Sequence, residues 1–477
     1  MTERWVFFGF GMSPFLLRSI VDLKTPELAE IEWDVILPTG HHRTLLEGIE
    51  GIHSVVVVEE MIKRGADSWR LTNFSDQEAW SVYRDLDAEK IQRSPRARRE
   101  REIEAFRMLT LFRDLLSAGG QSVVVYPQPI ENPMGMLLHR VATEHGCRIA
   151  VPYHIRYVDR TYYSDSAREC PPPKGVLQQP LQSSTLRTEV EQFLFAFRNG
   201  SAKLDRQLVS TRSTVLMEWS RVDRVKMFAR RFLQVPEARR LGNLRVSLFS
   251  GWLPSLWRLI QMVRARANAG IYERDFDPFE ADARFIFFPL QYTPESSINV
   301  PDPYFVDQLR AIDALRYAMP SDFVLVVKEH PAALGVRSGR FMRSVRRRPG
   351  VRVVKWNTQT RRLIETAALT VSVTGTAAFE AFLLGRPSMT LAPTFFSEAI
   401  GGSRDLTTLR NFILQSIDNE LSDEVVTAGL VSIFENTAPF VSLAPETKDG
   451  KSLDSENIAL LAASLRAWID SRRVQSA

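Results

Sequence analysis

Phe323-Val-Leu-Val-Val-Lys-Glu-His-Pro331 and, about forty residues on, Leu369-Thr-Val-Ser-Val-Thr-Gly-Thr-Ala-Ala-Phe-Glu-Ala381 each run from a β-branched apolar stretch straight into polar residues. An apolar run without alternation suits a parallel strand covered on both faces, and ligands of such sheets sit in the crevice beyond the strands' carboxyl ends. Lys328, Glu329, His330, Thr374, Gly375 and Thr376 all fall there. The second stretch continues into a helical pattern from Ala377 to Leu384, stopped by Gly385 and Pro387. A helix start in that place offers free N–H groups and the positive end of a dipole to an anion.

Around these two segments the spacing predicts further strands at Phe285 to Phe288, Val351 to Val354 and Ser388 to Leu391, separated by helices at Pro303 to Tyr317 and Thr360 to Ala367. A second series occupies the first part of the chain, with strands at Trp5 to Phe10, Trp33 to Leu37, Ser54 to Val58, Ser122 to Tyr126 and Arg148 to Pro152. Short apolar strands alternating with helices imply βαβ units and parallel sheets. The expectation is therefore α/β, with two doubly wound Rossmann-like domains facing a cleft. Residues 1–180 form the first domain, 181–275 a helical section and 276–450 the second domain. The final helical pattern, Ser455 to Arg472 within 451–477, carries its apolar residues on one face and is expected to cross back to the first domain. Gly9-Phe-Gly11 lacks the third glycine of a dinucleotide fingerprint, so it reads as a tight strand-to-helix turn.

With 477 residues, 44% of them apolar and 25% charged, the chain is ordinary globular material. No stretch approaches the roughly 20 apolar residues of a membrane helix, and the start, Met1-Thr-Glu-Arg, enters a strand directly, so a cytoplasmic location is expected. Two cysteines, Cys147 and Cys170, without a CxxC pair or a His cluster, argue against structural zinc and against a disulfide framework. The net charge of +5 is concentrated in Arg93 to Arg101 and Arg340 to Arg348. Such clusters attract polyanions or form solvated faces, and no nucleic-acid-binding pattern accompanies them. Val246 to Arg266 joins Phe249, Trp252, Leu253 and Trp257 to a basic end, which fits either a helix lying on anionic lipid or one packed on its own domain.

Four elements stand in register: Pro289-Leu-Gln291 with Ser296-Ser297-Ile298, Lys328-Glu-His-Pro331, Thr374-Gly-Thr-Ala-Ala-Phe-Glu380 and Gly385-Arg-Pro387. Through them residues 284–396 resemble the bacterial capsular polysaccharide biosynthesis family, which contains the Kdo transferases of capsule and lipopolysaccharide assembly. The resemblance implies a GT-B glycosyltransferase that uses a CMP-activated sugar. It implies a nucleotide sugar and a glycan or glycolipid acceptor as partners, with peripheral contact to an anionic inner membrane possible. It implies no cofactor beyond the co-substrate, and no nucleic acid. It places Gln291, Ser296, Ser297, Lys328, His330, Pro331, Thr374, Gly375, Thr376 and Glu380 at the donor.

The residue types suit that chemistry on their own terms. Departing CMP develops negative charge on its phosphate, which His330, Lys328, Thr374, Thr376 and the N–H groups after Gly375 can meet. Glu380, one turn into the helix, suits a ribose diol. The bland readings are a strand-ending core histidine, a plain N-cap at Thr374 to Thr376, a dipole-complementing Glu380 and a turn at Gln291 to Ser297. Displacement at an anomeric carbon also needs an acid, base or nucleophile. The candidates are first-domain strand ends: Glu131 in Pro127 to Asn132, then His154 and Asp159, then His41, His42 and Arg43. Arg156 and Arg160 are placed on an ulosonic acid's carboxylate. No Asp-x-Asp metal motif stands in a suitable loop, so a metal-independent transfer is expected. The alternatives are a UDP-sugar transferase or epimerase-like enzyme, and a noncatalytic capsule-assembly scaffold with a degenerate donor site.

Overall fold

The computed structural model describes residues 3–11, 13–64, 95–118, 122–130, 132–155, 158–174, 183–200, 284–293, 298, 302–333, 337–401, 406–442 and 451–472. By its internal contacts the chain divides into two units, Met1–Leu186 with Ile433–Ala477, and Arg187–Ser432.

In the first unit, strands β1 (Glu3–Phe8), β2 (Ile31–Leu37), β3 (Ile52–Val57), β4 (Val123–Val125), β5 (Arg148–Ile155) and β6 (Arg160–Ser164) form one sheet in the order β3-β2-β1-β4-β5-β6. All neighbours are parallel except β5 and β6. On one face Trp5, Phe7, Trp33 and Val35 pack with Leu16, Leu17 and Ile20 of the helix Ser13–Leu23. Trp5 and Trp33 meet edge to face at 5.6 Å, a geometry that aromatic quadrupoles favour. Gly9 is required by close approach: a Cβ there would lie 2.6 Å from Cδ2 of the buried Leu37. Gly11, at φ +58°, takes the left-handed turn toward that helix.

The helix Ser455–Ser471 completes this core with Ile458, Leu461, Leu465, Trp468 and Ile469. The Trp468 indole N–H donates to the Ile149 carbonyl at 2.9 Å, and the Arg148 guanidinium to the Ile469 carbonyl at 3.3 Å. The last segment of sequence is thus built into the sheet that the first segment begins.

In the second unit, β7 (Phe285–Pro289), β8 (Val324–Lys328), β9 (Val351–Val354), β10 (Leu369–Ser372) and β11 (Ser388–Thr390) form an all-parallel sheet in the order β11-β10-β7-β8-β9. Alternate residues of β7 enter different cores. Ile286 and Phe288 join Leu325, Val327 and Val371 on one face, while Phe285 and Phe287 join Val326, Leu363 and Ala381 on the other. Burial on both faces is why β7 and β8 read as unbroken apolar runs. The chain winds from β7 outward through β8 and β9, then returns to the other side of β7 as β10 and β11. Winding therefore reverses between β7 and β10.

The helix Thr376–Leu383 ends at Gly385, φ +71°, where Arg386 N–H bonds to the Ala381 carbonyl at 2.8 Å and Gly385 N–H to Phe382 at 2.9 Å. That pair of bonds is a Schellman motif. The Arg198 guanidinium adds a bond to the Leu383 carbonyl at 2.9 Å. Arg361 in turn donates to the Arg198 carbonyl at 2.6 Å, tying the end of the helix Ser183–Arg198 to the same unit.

One expectation changes, one falls outside the described residues, and one open alternative is decided. The strand expected over Arg148 to Pro152 continues to Ile155 and turns back as the antiparallel β6, which sequence reasoning missed. The segment Val246 to Arg266, with the helical section beyond residue 200, lies outside the described residues. The cluster Arg340 to Arg348 is a solvated face. Met342 and Val345 of the helix Gly339–Arg346 are buried, Arg340, Arg343 and Arg346 are exposed, and Arg348 pairs with Asp313 at 2.7 Å. Among the described residues no helix is long and apolar enough to cross a membrane.

Truncating a large buried side chain leaves a cavity costing about 3–5 kcal/mol. Trp468→Ala is expected to destabilise the first unit by that amount in urea titration. The second unit's transition should be unchanged, because Trp468 packs within the first core.

Candidate functional site

The reversal point between β7 and β10 is where a doubly wound sheet opens a crevice, and the residues leaving the two strands are joined across it. The Gln291 carboxamide donates to Thr374 Oγ1 at 2.8 Å and accepts the Thr374 N–H at 3.1 Å. Gln291 is itself fixed by Gln308, whose side chain accepts the Gln291 N–H and donates to its carbonyl, each at 2.8 Å. Both glutamines are buried.

Beyond Thr374 the chain enters the helix Thr376–Leu383 through Gly375, which occupies the N-cap position with extended backbone and no side-chain cap. The Ser372 hydroxyl bonds to the Gly375 carbonyl at 2.9 Å and leaves the helix N–H groups alone. A helix starting on glycine keeps its first donors for something other than its own cap. Ala377, Ala378 and Phe379 are buried, while Gly375, Thr376 and Glu380 keep partial exposure.

The cationic side of the crevice comes from β8. Lys328 is 6% exposed and donates to Thr360 Oγ1 at 2.5 Å. Burial lowers its pKa to about 8, and the negative Glu380 pulls the other way. At neutral pH it remains mostly an ammonium. The His330 imidazole is held down at about 4, first by burial, then by the positive charges of Arg337 and Lys328. It is therefore a neutral donor and acceptor near pH 7. Glu329, 1% exposed, points away from solvent and pairs with Arg337 at 2.9 Å, and its Oε1 also accepts the His330 N–H at 2.8 Å. Burial pushes its carboxyl up against the pull of Arg337 and that N–H.

Of the donor-side residues read from sequence, Gln291, Lys328, His330, Thr374, Gly375, Thr376 and Glu380 lie at these strand ends and helix start. Pro331 opens the short 3-10 turn Pro331–Ala333. Ser296 and Ser297 lie outside the described residues. Gln291 and Thr374 bond to one another, so the structure gives them a bracing role. Sequence reasoning missed Gln308, Arg337 and Thr360. Gln308 lay inside the helix expected over Pro303 to Tyr317, Thr360 opened the next expected helix, and Arg337 follows a short apolar stretch of sequence with no periodic signal.

On the first unit, Arg160 needs correcting. It is 3% exposed, donates to the carbonyls of Phe434 and Thr437 at 3.3 and 3.0 Å, and stacks 4.8 Å over the Phe434 ring. Its guanidinium is occupied in holding the returning chain, so it is not an arm for a sugar carboxylate. His154 faces Thr161 across the β5–β6 hairpin, Nδ1 to Oγ1 at 3.4 Å, and Asp159 sits in the hairpin turn. The rings of His41 and His42 are 4.4 Å apart, and Arg43 is paired with Glu47 and Glu60. Glu131 and Arg156 lie outside the described residues.

The chain thus has an α/β architecture of two parallel-dominated Rossmann-like sheets, the second with a lysine, an imidazole and a helix start without a side-chain cap at its reversal point. Residues 255–437 match the family model described as capsule polysaccharide biosynthesis protein, so the resemblance read from the four motifs holds for that segment. No curated protein sequence matches the chain. Among solved structures, the chain is similar to KpsC of Thermosulfurimonas dismutans, a beta Kdo 2,7 transferase, at 12% identity and TM-score 0.31, over 91% of this chain and 100% of that one. It is similar to UDP-GlcNAc 2-epimerase of Methanocaldococcus jannaschii at 11% identity and TM-score 0.24, over 91% and 99%. It is also similar to HepE of Anabaena in complex with UDP-glucose, at 12% identity and TM-score 0.24, over 97% and 98%.

Lys328 makes stability depend on alkaline pH in a calculable direction. Its pKa falls from 10.5 unfolded to about 8 folded, so between these values the unfolded chain binds the extra proton. Stability should therefore rise with pH across that window, by at most about 3 kcal/mol. Urea midpoints of the wild type and of Lys328→Met, compared from pH 7 to 10.5, should show this rise in the first and its loss in the second.

Proposed function

We propose that this protein is a glycosyltransferase of surface polysaccharide assembly. It transfers an ulosonic acid such as Kdo from a CMP-activated donor to a glycan or glycolipid acceptor. The observation that carries this reading is the uncapped start of the helix Thr376–Leu383, set beside Lys328 and His330 within the segment that matches the capsule family.

In the transfer, an acceptor oxygen forms a bond to the anomeric carbon while the bond from that carbon to the phosphate oxygen breaks. The electron pair leaves with CMP. Charge develops on the phosphate, and groups already aimed at it stabilise that state most because they need no reorganisation. The N–H groups of Thr376 and Ala377 supply fixed dipoles, Lys328 supplies a positive charge, and the neutral imidazole of His330 donates a hydrogen bond. These groups serve the leaving phosphate without a metal ion. Glu380 accepts from the ribose diol, since one carboxylate has lone pairs for both hydroxyls and for Lys328. The acceptor-activating group belongs to the first unit in this reading, with Glu131 the leading candidate and His154 and Asp159 next.

Titration calorimetry tests the reading. Wild-type protein is expected to bind CMP more tightly than UDP. His330→Ala should weaken CMP at least about tenfold, the worth of one hydrogen bond to a charged group, while the thermal midpoint stays near that of the wild type. Preference for UDP would favour a UDP-sugar enzyme. Absence of any nucleotide binding would favour a noncatalytic scaffold, and normal CMP binding by His330→Ala would remove His330 from the site.

A further inference from the structure

Several bonds already described form one chain. The His330 N–H bonds to Glu329 Oε1 at 2.8 Å, and the same oxygen takes Arg337 Nη1 at 2.9 Å. Nη2 of Arg337 donates to the Gln291 carbonyl, and the Gln291 side chain holds Thr374 at both its hydroxyl and its N–H. One buried guanidinium therefore links the residues leaving β8, β7 and β10. Arg337 is 9% exposed and enters from the turn before the helix Gly339–Arg346, outside every motif read from the sequence. Glu329 Oε2 is buried with no hydrogen-bond partner, so Arg337 Nη1 and the His330 N–H, both on Oε1, are its carboxyl's hydrogen bonds.

We infer that Arg337 is the positioning residue of this site: through Glu329 and Gln291 it sets where the His330 backbone and the Thr374 turn stand, with its positive charge close to the imidazole. The inference rests on the donor-site reading above and extends it to a residue that need not touch the ligand. Three features support the assignment. A planar guanidinium can bond a carboxylate and a carbonyl at fixed angles, which a lysine ammonium cannot reproduce. The pair is buried, so its charge is poorly screened at the neighbouring ring. Among the described residues, the imidazole has near it Arg337 and Lys328, both positive, Glu329 behind its backbone N–H and the Tyr292 ring at 6.3 Å. A neutral imidazole between two cations can donate to a phosphate and is not itself a third charge.

Removing Arg337 alone would strand a buried carboxylate, so the test uses a neutral background. Glu329→Gln is the reference, because glutamine keeps an oxygen for the His330 N–H. It is compared with Glu329→Gln/Arg337→Met, and the two differ only in the guanidinium. His330 is followed by NMR through its Cε1–H signal among the seven histidines, assigned with His330→Gln, and CMP binding is measured by calorimetry. In the paired variant the imidazole pKa is expected to rise by about one unit over the reference, the scale of one nearby charge. CMP is expected to bind about tenfold more weakly, with the fold intact by circular dichroism. A purely structural arginine would weaken binding without moving the titration. The same imidazole pKa in both variants overturns the inference. A shifted pKa in a protein whose wild type binds no CMP supports the positioning role and rejects the nucleotide reading instead.

Discussion

The carboxamide of Gln291, giving its N–H to the Thr374 hydroxyl and taking the Thr374 backbone N–H in return, ties together the two strands between which the second sheet reverses. Everything proposed for the site depends on that tie. At a reversal point neighbouring connections leave the sheet on opposite faces and open a gap. A gap lined by loose loops would place a helix start poorly. Here the loop after β7 is held from below by Gln308 and from the side by Arg337, and it in turn holds the turn that launches the helix Thr376–Leu383. Buried amide groups that were not fully bonded would cost more than they gave. Gln291 satisfies its backbone N–H and carbonyl as well as both ends of its side chain.

The electrostatics follow from burial as much as from charge. Lys328 and His330 stand two residues apart yet differ in charge, because desolvation moves both pKa values downward with different results. A lysine lowered to about 8 still carries its proton at neutral pH, whereas an imidazole lowered to about 4 has lost it. The site thus holds one cation and one neutral donor where the sequence shows two basic residues. A lysine buried at the cost of its own solvation is poor for stability, and such sites are usually kept for what they bind. Glu380 offsets part of that cost from the facing helix.

Much of the second unit was legible because its strands are buried on both faces. Phe285 to Phe288 and Phe323 to Val327 carry no alternation to confuse with a surface strand, and Gly385 with Pro387 marks a helix end by chemistry that admits few other readings. A helix start after Thr374 was also legible, with a plain N-cap at Thr374 to Thr376 as the alternative, and the backbone at Gly375 is extended with no side-chain cap. Arg337 was not legible. Its partners Glu329 and Gln291 are 8 and 46 residues away, and only tertiary folding brings them to one guanidinium. The strand β6 was missed for a different reason: Arg160 to Ser164 is polar and aromatic in sequence, yet it is buried by the returning segment around Ala438, with which Thr161 exchanges two backbone bonds.

Arg160 shows why the attacking group is harder to read than the donor site. In isolation an arginine just past an apolar strand looks like a hand for an anion, and the same description fits Lys328. What separates them is what lies within reach. Arg160 finds two carbonyls and an aromatic ring supplied by residues 434–437, more than 270 positions later in the chain, and those partners satisfy it internally. Lys328 finds one hydroxyl and a carboxylate on a helix that starts without a side-chain cap. Donor sites of this architecture are assembled from strand ends of one sheet, so local pattern places them. An acid or base that approaches the anomeric carbon is carried on a loop, whose sequence has no period and whose side-chain environment is decided by distant segments. In the proposed reading the groups that would hold a phosphate are therefore concentrated in roughly a hundred residues of this chain, while the group that would activate the acceptor comes from elsewhere in it.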